Sequence, residues 1–320
     1  MTPDPLRIGL VGCGRLAERG YLPALEGVPD LCLVAVADPD PGRRALIATA
    51  VGAPVSAAVA SADELVALDV GLEGVLIASP VSAHPADAAD AAGAGLHALL
   101  EKPPAPSARE AAPLLRLEPA PWVGFNRRFD PDARRVAAAV PAEGPIDLDL
   151  RLHYRRPSWG AHTVRDDALL DLGPHLVDWA IWLSGRNVID VSCAVLTADR
   201  ARLRLQLEDG HATIDAATDR PHDERIVLRD ERGRTLSAHR TGGLLAAVRS
   251  RAQRRHSPDR LVTTLRAELT AFAAALRDPD QLHDLGTVAD GVRAMAVLDA
   301  ARASAGAGGA AVPVAQEVSP

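Results

Sequence analysis

The sequence predicts an α/β protein of two domains. A doubly wound domain over residues 1–121 precedes an α+β domain over 122–320, whose sheet is largely antiparallel and open-faced. Three observations carry this expectation. The first 121 residues alternate short, continuous apolar runs with alanine-rich helical stretches, the pattern of a parallel sheet covered on both faces. A glycine-rich turn, GLVGCGRLA (9–17), closes the first apolar run and opens a helix. Beyond residue 122 the apolar runs give way to period-two alternation such as IDLDLRLHY (146–154), the signature of a half-buried strand.

Taken in order, RIGLVG (7–12) is a strand, and residues 15–27 are a helix interrupted near Pro23. LCLVAVAD (31–38) is a second strand. Helices follow over 41–52 and over 61–68, the latter from a Ser-Ala-Asp-Glu start. GVLIAS (74–79) is a buried strand, 83–95 a helix, HALLE (97–101) a strand, and WVGFN (122–126) one more parallel strand. In the second half a helix is expected over 173–184. VIDVSCAVL, ARLRLQLED, HATIDAAT and ERIVLRD then follow as strands joined by turns such as Asp209-Gly210. Residues 258–277 and 287–305 return to helix.

Composition bounds the function. With 320 residues, 48% hydrophobic and 24% charged, the chain can bury two cores. A net charge of −7 gives no reason to expect nucleic acid or an anionic membrane as a partner. The N-terminal residues show no charged region followed by a long apolar run, and no apolar stretch is long enough to span a bilayer. Cys13, Cys32 and Cys193 are odd in number and widely spaced, which fits neither a disulfide framework nor a zinc site. The expectation is a soluble, cytoplasmic protein with free thiols and no metal.

Gly12-x-Gly14-x-x-Ala17 is a dinucleotide fingerprint with alanine at the third glycine position. Gly12 allows the tight turn and Gly14 lets the backbone approach a pyrophosphate. The helix opening at Arg15 and Leu16 presents amide donors to it. Asp38 ends the second strand, 24 residues beyond Gly14, where a carboxylate accepts bonds from ribose hydroxyls and repels a 2′-phosphate. NAD is therefore favoured as cofactor, with NADP kept open by the neighbouring Arg43 and Arg44. The plainer role for Asp38 is a helix cap in its Asp-Pro-Asp-Pro turn.

Lys102 is the only lysine in a chain whose 35 basic residues are otherwise arginine. Arginine stays protonated under ordinary conditions, whereas a lysine amine can lose or share a proton. A lone lysine in LLEKPPAP (99–106) is thus a candidate for proton chemistry.

At this point the motifs resemble those of the Gfo/Idh/MocA oxidoreductases, named for glucose–fructose oxidoreductase and inositol dehydrogenase. The matching stretches run the length of the chain: GLVGCGRLA, VAVADPDPGR, LIASPVSAHPADAADAAGAGLHALLEKP, GFNRRFDP, LLDLGPHLVD and TVADGVRAMAVLDAARAS. The resemblance implies a Rossmann domain and a substrate- and oligomer-forming domain. It places Glu101 and Lys102 in the family's Glu-Lys-Pro motif beside the nicotinamide, and Asp171 and His175 in its D-x-G-x-H segment with the histidine as proton acceptor. Ser79, Pro80 and His84 fall in the loop lining the nicotinamide end. Asn126, Arg127 and Arg128 border nicotinamide and substrate. Tyr154, Trp159 and His162 fall where relatives face their substrates, although Tyr154 equally suits sheet packing. Asp166, Asp167 and Ala168 replace small residues common in relatives and alter the pocket rim.

The chemistry agrees with those roles. Oxidising a secondary alcohol removes a hydride from carbon and a proton from oxygen, and an imidazole suits that proton near neutrality. Asp171 and His175 lie four apart, on one helix face, and Pro174 suggests a helix only starting there, with both near its positive end. The plainer readings make Asp171 a cap, His175 a buried histidine and Asp178 a solvated helix residue. The basic run AAVRSRAQRRHSPDR (246–260) reads as a solvated face before it reads as a site for a nucleotide-linked sugar. The expected activity is NAD(P)-dependent hydride transfer on a sugar, cyclitol or nucleotide-sugar derivative by a homodimer or homotetramer paired through an apolar-alternating face of the second sheet. The rivals are a redox-neutral glycosidase that returns its hydride to NAD, and a non-catalytic cofactor-binding regulator.

Overall fold

The computed structural model describes residues 4–52, 57–155, 166–241, 260–281 and 284–315. Trp159, His162 and most of the 246–260 run lie outside them. The chain divides into two compact units, one of residues 1–129 with 258–292 and the other of 130–257 with 293–319. The division thus differs from the simple cut expected at 121/122. The reason is the helix Arg260–Arg277, whose Leu265, Leu269 and Phe272 are fully buried in the same core as Ile8, Leu10 and Leu99. Its apolar stripe needs that core, so the chain returns to the first unit late in the sequence.

In the first unit β1 (Leu6–Val11), β2 (Leu31–Ala37), β3 (Ala58–Val59), β4 (Gly74–Ile77), β5 (His97–Glu101) and β6 (Trp122–Gly124) pair in parallel in the order β6-β5-β4-β1-β2-β3. A two-residue strand, Gly286–Thr287, adds antiparallel to β6. Ile8, Leu10, Val75, Leu76, Ile77, Leu99 and Leu100 are all inaccessible to solvent, as continuous apolar strands between helical layers require. The helical run after β1 is not broken at Pro23. It contains a wide π turn, Ala17–Tyr21, closed by a bond from Leu22 N–H to the Ala17 carbonyl. Such a turn accommodates the donor that proline lacks.

The second unit is built on β7 (Ile146–Arg155), β8 (Val188–Leu196), β9 (Arg200–Leu207), β10 (Gly210–Ala217), β11 (Asp219–Asp230) and β12 (Thr235–Thr241). They lie in the order β12-β11-β7-β10-β9-β8, antiparallel except for the parallel pair β7 and β10. On β7, Ile146, Leu148, Leu150 and Leu152 are buried, and the helix Ala168–Ser184 packs against this sheet within the unit.

The alternate face overturns one expectation. It is not apolar. Arg225 meets Asp149 at 3.2 Å, and Arg151 meets Asp215 at 3.4 Å and Asp223 at 3.1 Å. Arg202 and His153 also reach Asp215, and His239 reaches Asp223 at 2.9 Å. Arg151 and Arg202 stand directly opposite Asp215, and the like-charged pair Arg225 and Arg151, also directly opposite, is relieved by diagonal partners, Asp149 for Arg225 and Asp223 for Arg151.

The helix Ala168–Ser184 starts earlier than expected. The Asp167 side chain accepts the Leu170 N–H at 2.7 Å and caps it, so Asp166–Ala168 is a helix start rather than a free rim. Pro174 therefore sits inside the helix, where it removes one backbone donor. Asp171 keeps its place in the first turn, but His175 lies two turns in, beyond the reach of the positive end. Among the described residues no helix is long and apolar enough to cross a membrane, and the three cysteines are free thiols.

The Asp215 carboxyl is held below the usual range, first by its bond to His153 and then by Arg202 and Arg151. A depressed carboxylate stabilises the fold above its unfolded value and loses that contribution as pH falls through the folded one. Asp215→Asn is therefore expected to lower the melting temperature at neutral pH and to lessen its decline below about pH 4. Parallel thermal melts across pH check this, and an unchanged acid slope refutes it.

Candidate functional site

Parallel pairing brings the carboxyl ends of β1, β2, β4, β5 and β6 to one edge, where ligands bind in open α/β sheets. The predicted residues of the first unit follow those ends directly: Gly12–Leu16, Asp38, Ser79–Pro80, Glu101–Lys102 and Asn126–Arg128.

Gly12 has φ +93°, and a Cβ there would lie 2.5 Å from the Ala78 backbone, so only glycine fits. At Gly14 a Cβ would meet nothing within 4 Å. The loop thus packs tightly on its inner side and stays open at Gly14, the arrangement a pyrophosphate needs. Cys13, between the glycines, is buried, and burial with the nearby Asp38 charge pushes its thiol up to about 12. It is inert rather than nucleophilic.

The helix-cap role considered for Asp38 belongs to Asp40, whose side chain accepts from Gly42 N–H and Arg43 N–H. Asp38 instead accepts the Cys13 N–H at 2.7 Å and the Asp40 N–H at 2.8 Å. One carboxylate therefore ties the end of β2 to the glycine loop and remains half-buried at its rim. Arg43 donates to the Cys13 carbonyl at 2.7 Å and to Glu18, and Arg44 donates to the Asp38 carbonyl at 2.5 Å. Both guanidinium groups are spent on these partners, which suits a 2′-hydroxyl better than a 2′-phosphate.

His84 is 2% exposed, and its ring bridges two backbone oxygens: Nδ1 is 2.8 Å from the Pro103 carbonyl and Nε2 is 2.8 Å from that of Ser79. It braces the loop after β4 against the turn carrying Lys102. Two carbonyls require two ring protons, while burial, with a smaller push from Lys102, moves the imidazole pKa down. Ser79 Oγ donates to Asp87 at 2.5 Å. Asn126 donates to Thr264 at 3.2 Å, and Arg128 pairs with Asp290 at 3.1 Å over the Phe125 ring. Asn126 and Arg128 are buried ties, whereas Arg127 is half-exposed.

Glu101 is buried, and its carboxylate accepts the Tyr21 hydroxyl at 2.7 Å and the Lys102 N–H at 3.1 Å. Lys102 is half-buried.

In the second unit, Asp171 and His175 share a face of the helix Ala168–Ser184, and the Tyr154 hydroxyl on β7 donates to Asp171 Oδ2. His175 is 8% exposed, and Asp178, read alternatively as solvated, is 2% exposed. Sequence reasoning missed the pairing of Tyr154 with Asp171 and passed over Tyr21 altogether. The available signal was scarcity, since these are the chain's two tyrosines. Among the described residues no group of three or more His, Cys, Asp and Glu side chains is placed to hold a metal ion.

A glycine cradle and a half-buried carboxylate at the end of β2, on a parallel sheet edge, define a dinucleotide-binding architecture. Residues 6–120 match the Gfo/Idh/MocA oxidoreductase family, NAD-binding Rossmann fold. Myo-inositol dehydrogenase Hyg17 of Streptomyces leeuwenhoekii is 30% identical over 337 aligned residues, covering 97% of this chain and all of that one. Inositol 2-dehydrogenase of Leifsonia xyli is 35% identical over 197 residues, 59% of this chain. That match spans 56% of its length, and another curated relative is matched over 62% of its own. A myo-inositol dehydrogenase structure from Corynebacterium glutamicum superposes with a TM-score of 0.76 at 25% identity, covering 98% of this chain and 100% of that one. The chain belongs to the Gfo/Idh/MocA family, and its first unit is an NAD-binding Rossmann fold.

Removing the Asp38 carboxylate takes away the acceptor of the Cys13 N–H and, if Asp38 faces the ribose as the sequence predicts, the charge that repels a 2′-phosphate. Asp38→Ala should weaken NADH binding on the order of tenfold or more and narrow the preference over NADPH. Fluorescence titration with both nucleotides measures this, and an unaltered preference would contradict the assignment.

Proposed function

We propose that the chain is an NAD-dependent dehydrogenase or reductase that interconverts a secondary alcohol and a ketone on a cyclitol, a sugar or a sugar derivative. The observation that carries the reading is Lys102: the chain's single lysine stands on the same sheet edge as the glycine cradle and Asp38. The relatives named as inositol dehydrogenases put cyclitols first among candidate substrates.

Nicotinamide, when bound, supplies the acceptor or donor of hydride. Gly12, Gly14 and the first helical turn hold its pyrophosphate, and Asp38 holds the adenosine ribose. In the oxidative direction His175 accepts the hydroxyl proton as general base. Asp171 orients that chemistry and is itself held by Tyr154. Lys102 donates a hydrogen bond to the oxygen as negative charge develops there. Arg127, half-exposed in its segment, meets the substrate. The three free thiols suit a reducing, cytoplasmic setting.

Assembly into a dimer or tetramer through the second sheet is part of the proposal. Its charged face makes such an interface one of ion pairs, so raising salt from about 0.1 M to about 1 M is expected to favour smaller species in size-exclusion chromatography. A salt-independent oligomer contradicts that interface.

Nicotinamide absorbance with purified protein, NAD or NADH and a panel of cyclitols, polyols, aldoses and nucleotide-linked ketosugars tests the activity. A substrate-dependent change is expected, reduced at least about a hundredfold in Lys102→Met and in His175→Asn while NADH binding is retained. Sugar release without net change in nicotinamide would instead identify the redox-neutral glycosidase. Unaltered turnover in Lys102→Met would overturn the lysine's role.

A further inference from the structure

Each of the chain's two tyrosines gives its hydroxyl to the carboxylate of a candidate motif, Tyr154 to Asp171 and Tyr21 to Glu101. The Tyr21 pair lies wholly in the interior. Tyr21 and the facing Glu268 of helix Arg260–Arg277 are inaccessible to solvent, and Glu101 is 7% exposed. A buried phenol usually finds some partner, so the bond alone says only that this core is well satisfied.

Its placement says more. The acceptor is the residue next to Lys102, and the second oxygen of the same carboxylate accepts the Lys102 N–H at 3.1 Å. One carboxylate is thus held at both oxygens, by the helical run after the glycine loop and by the lysine's own backbone. The charge balance depends on those bonds. Burial pushes the Glu101 carboxyl up, while the Lys102 charge, the Tyr21 hydroxyl and the Lys102 N–H pull it down. Burial and the charges of Glu101 and Glu268 push the Tyr21 phenol well above its usual value, so it stays a donor. The charged or titratable groups facing the cluster are Glu268 from the helix, Lys102 on the turn, and His84, which feels the lysine's charge.

We propose that Tyr21 is a positioning residue for the chemistry of Lys102: its hydroxyl fixes the Glu101 carboxylate behind the lysine and, through that carboxylate, governs how the ammonium is held. The inference rests on the reading of Lys102 as a proton-handling group. Glu101 then serves the lysine from behind rather than touching the cofactor. Without the hydroxyl, the buried carboxylate has one donor fewer and takes up a proton more readily, which weakens the negative charge that Glu101 presents to Lys102.

The single lysine makes a direct test possible. Reductive methylation with ¹³C-formaldehyde labels only Lys102 and the N-terminal amine, and Lys102→Arg tells the two signals apart. In Tyr21→Phe, which keeps the ring, the Lys102 methyl signal is expected to titrate at lower pH than in the wild type. Turnover should fall on the order of tenfold, while NADH affinity changes less than about threefold. An unmoved signal overturns the proposal and leaves Tyr21 a packing residue. A moved signal with unchanged kcat overturns its link to the reaction. Should Tyr21→Phe fail to fold, Glu101→Gln is read the same way: it keeps an acceptor for Tyr21 but removes the charge, and an unmoved lysine signal again overturns the proposal. The methyl signal needs no turnover. A wild-type protein inactive on every substrate therefore defeats the functional reading, while the titration still decides whether Tyr21 and Glu101 govern the lysine.

Discussion

Parallel pairing in the order β6-β5-β4-β1-β2 is the constraint on which the first unit depends. It forces every strand to end on the same edge, so residues far apart in sequence, from Gly12 to Arg128, become neighbours in the fold without any residue between them having to be special. The same pairing makes the strands dry on both faces. Any polar group at their ends must then find its partner locally. Asp38 does so on the glycine loop, His84 on two carbonyls, and Glu101 on Tyr21 and the backbone of Lys102. The chemistry of the edge is therefore also its structural satisfaction. This is why removing a single polar atom there is expected to disturb both.

The second unit solves a different problem. Its sheet has one apolar face, covered by the helix Ala168–Ser184, and one face that must tolerate water or a partner. Asp and Arg side chains interleave across neighbouring strands there, and each carboxylate has several partners: Asp215 meets Arg151, Arg202 and the His153 ring, and Asp223 meets Arg151 and the His239 ring. Shared pairing of this kind fixes side chains better than isolated surface pairs, which contribute little each. The helix beneath carries Asp171 and His175 on one face, and its rigidity is what the proposed proton transfer would need from its scaffold.

Much of this was legible in the sequence, and the misses have physical causes. Period and continuity of the apolar runs located five strands of the first unit, because parallel strands buried on both sides leave little room for polar residues. They missed the two-residue strands Ala58–Val59 and Gly286–Thr287, which are too short to show a pattern. The glycine loop and Asp38 were legible because backbone geometry dictates their residue types and spacing. Pro174 misled because proline is favoured at a helix start and tolerated inside one when flanking packing is strong; Asp167, the true cap, lay seven residues earlier. Pro23 misled in the opposite way, since the π turn at Ala17–Tyr21 absorbed it without a break. The charge of the sheet's alternate face was present as letters, in IDLDLRLHY and ARLRLQLED, but cross-strand register decides whether such charges attract or repel, and register is not written in one strand. The attachment of the late helix Arg260–Arg277 to the first core was equally hidden, because an amphipathic stripe declares that it needs a core without naming which.

The scarcity of certain residues carries the last step. A chain that writes its positive charge as arginine obtains guanidinium groups that never exchange protons at working pH, and the structure spends them on fixed pairs: Arg43 on Glu18, Arg128 on Asp290, Arg240 on Asp130 and Glu224. Apart from the histidines, only one cationic side chain able to release a proton remains, and it stands at the end of β5. The two phenols follow the same logic, since each is placed on a carboxylate rather than on a backbone group. Rarity in itself assigns nothing. Rare, chemically versatile residues that fold onto the carboxylates of two motifs, one per unit, are better explained by a demand for controlled proton handling than by packing, for which leucine and phenylalanine would have served.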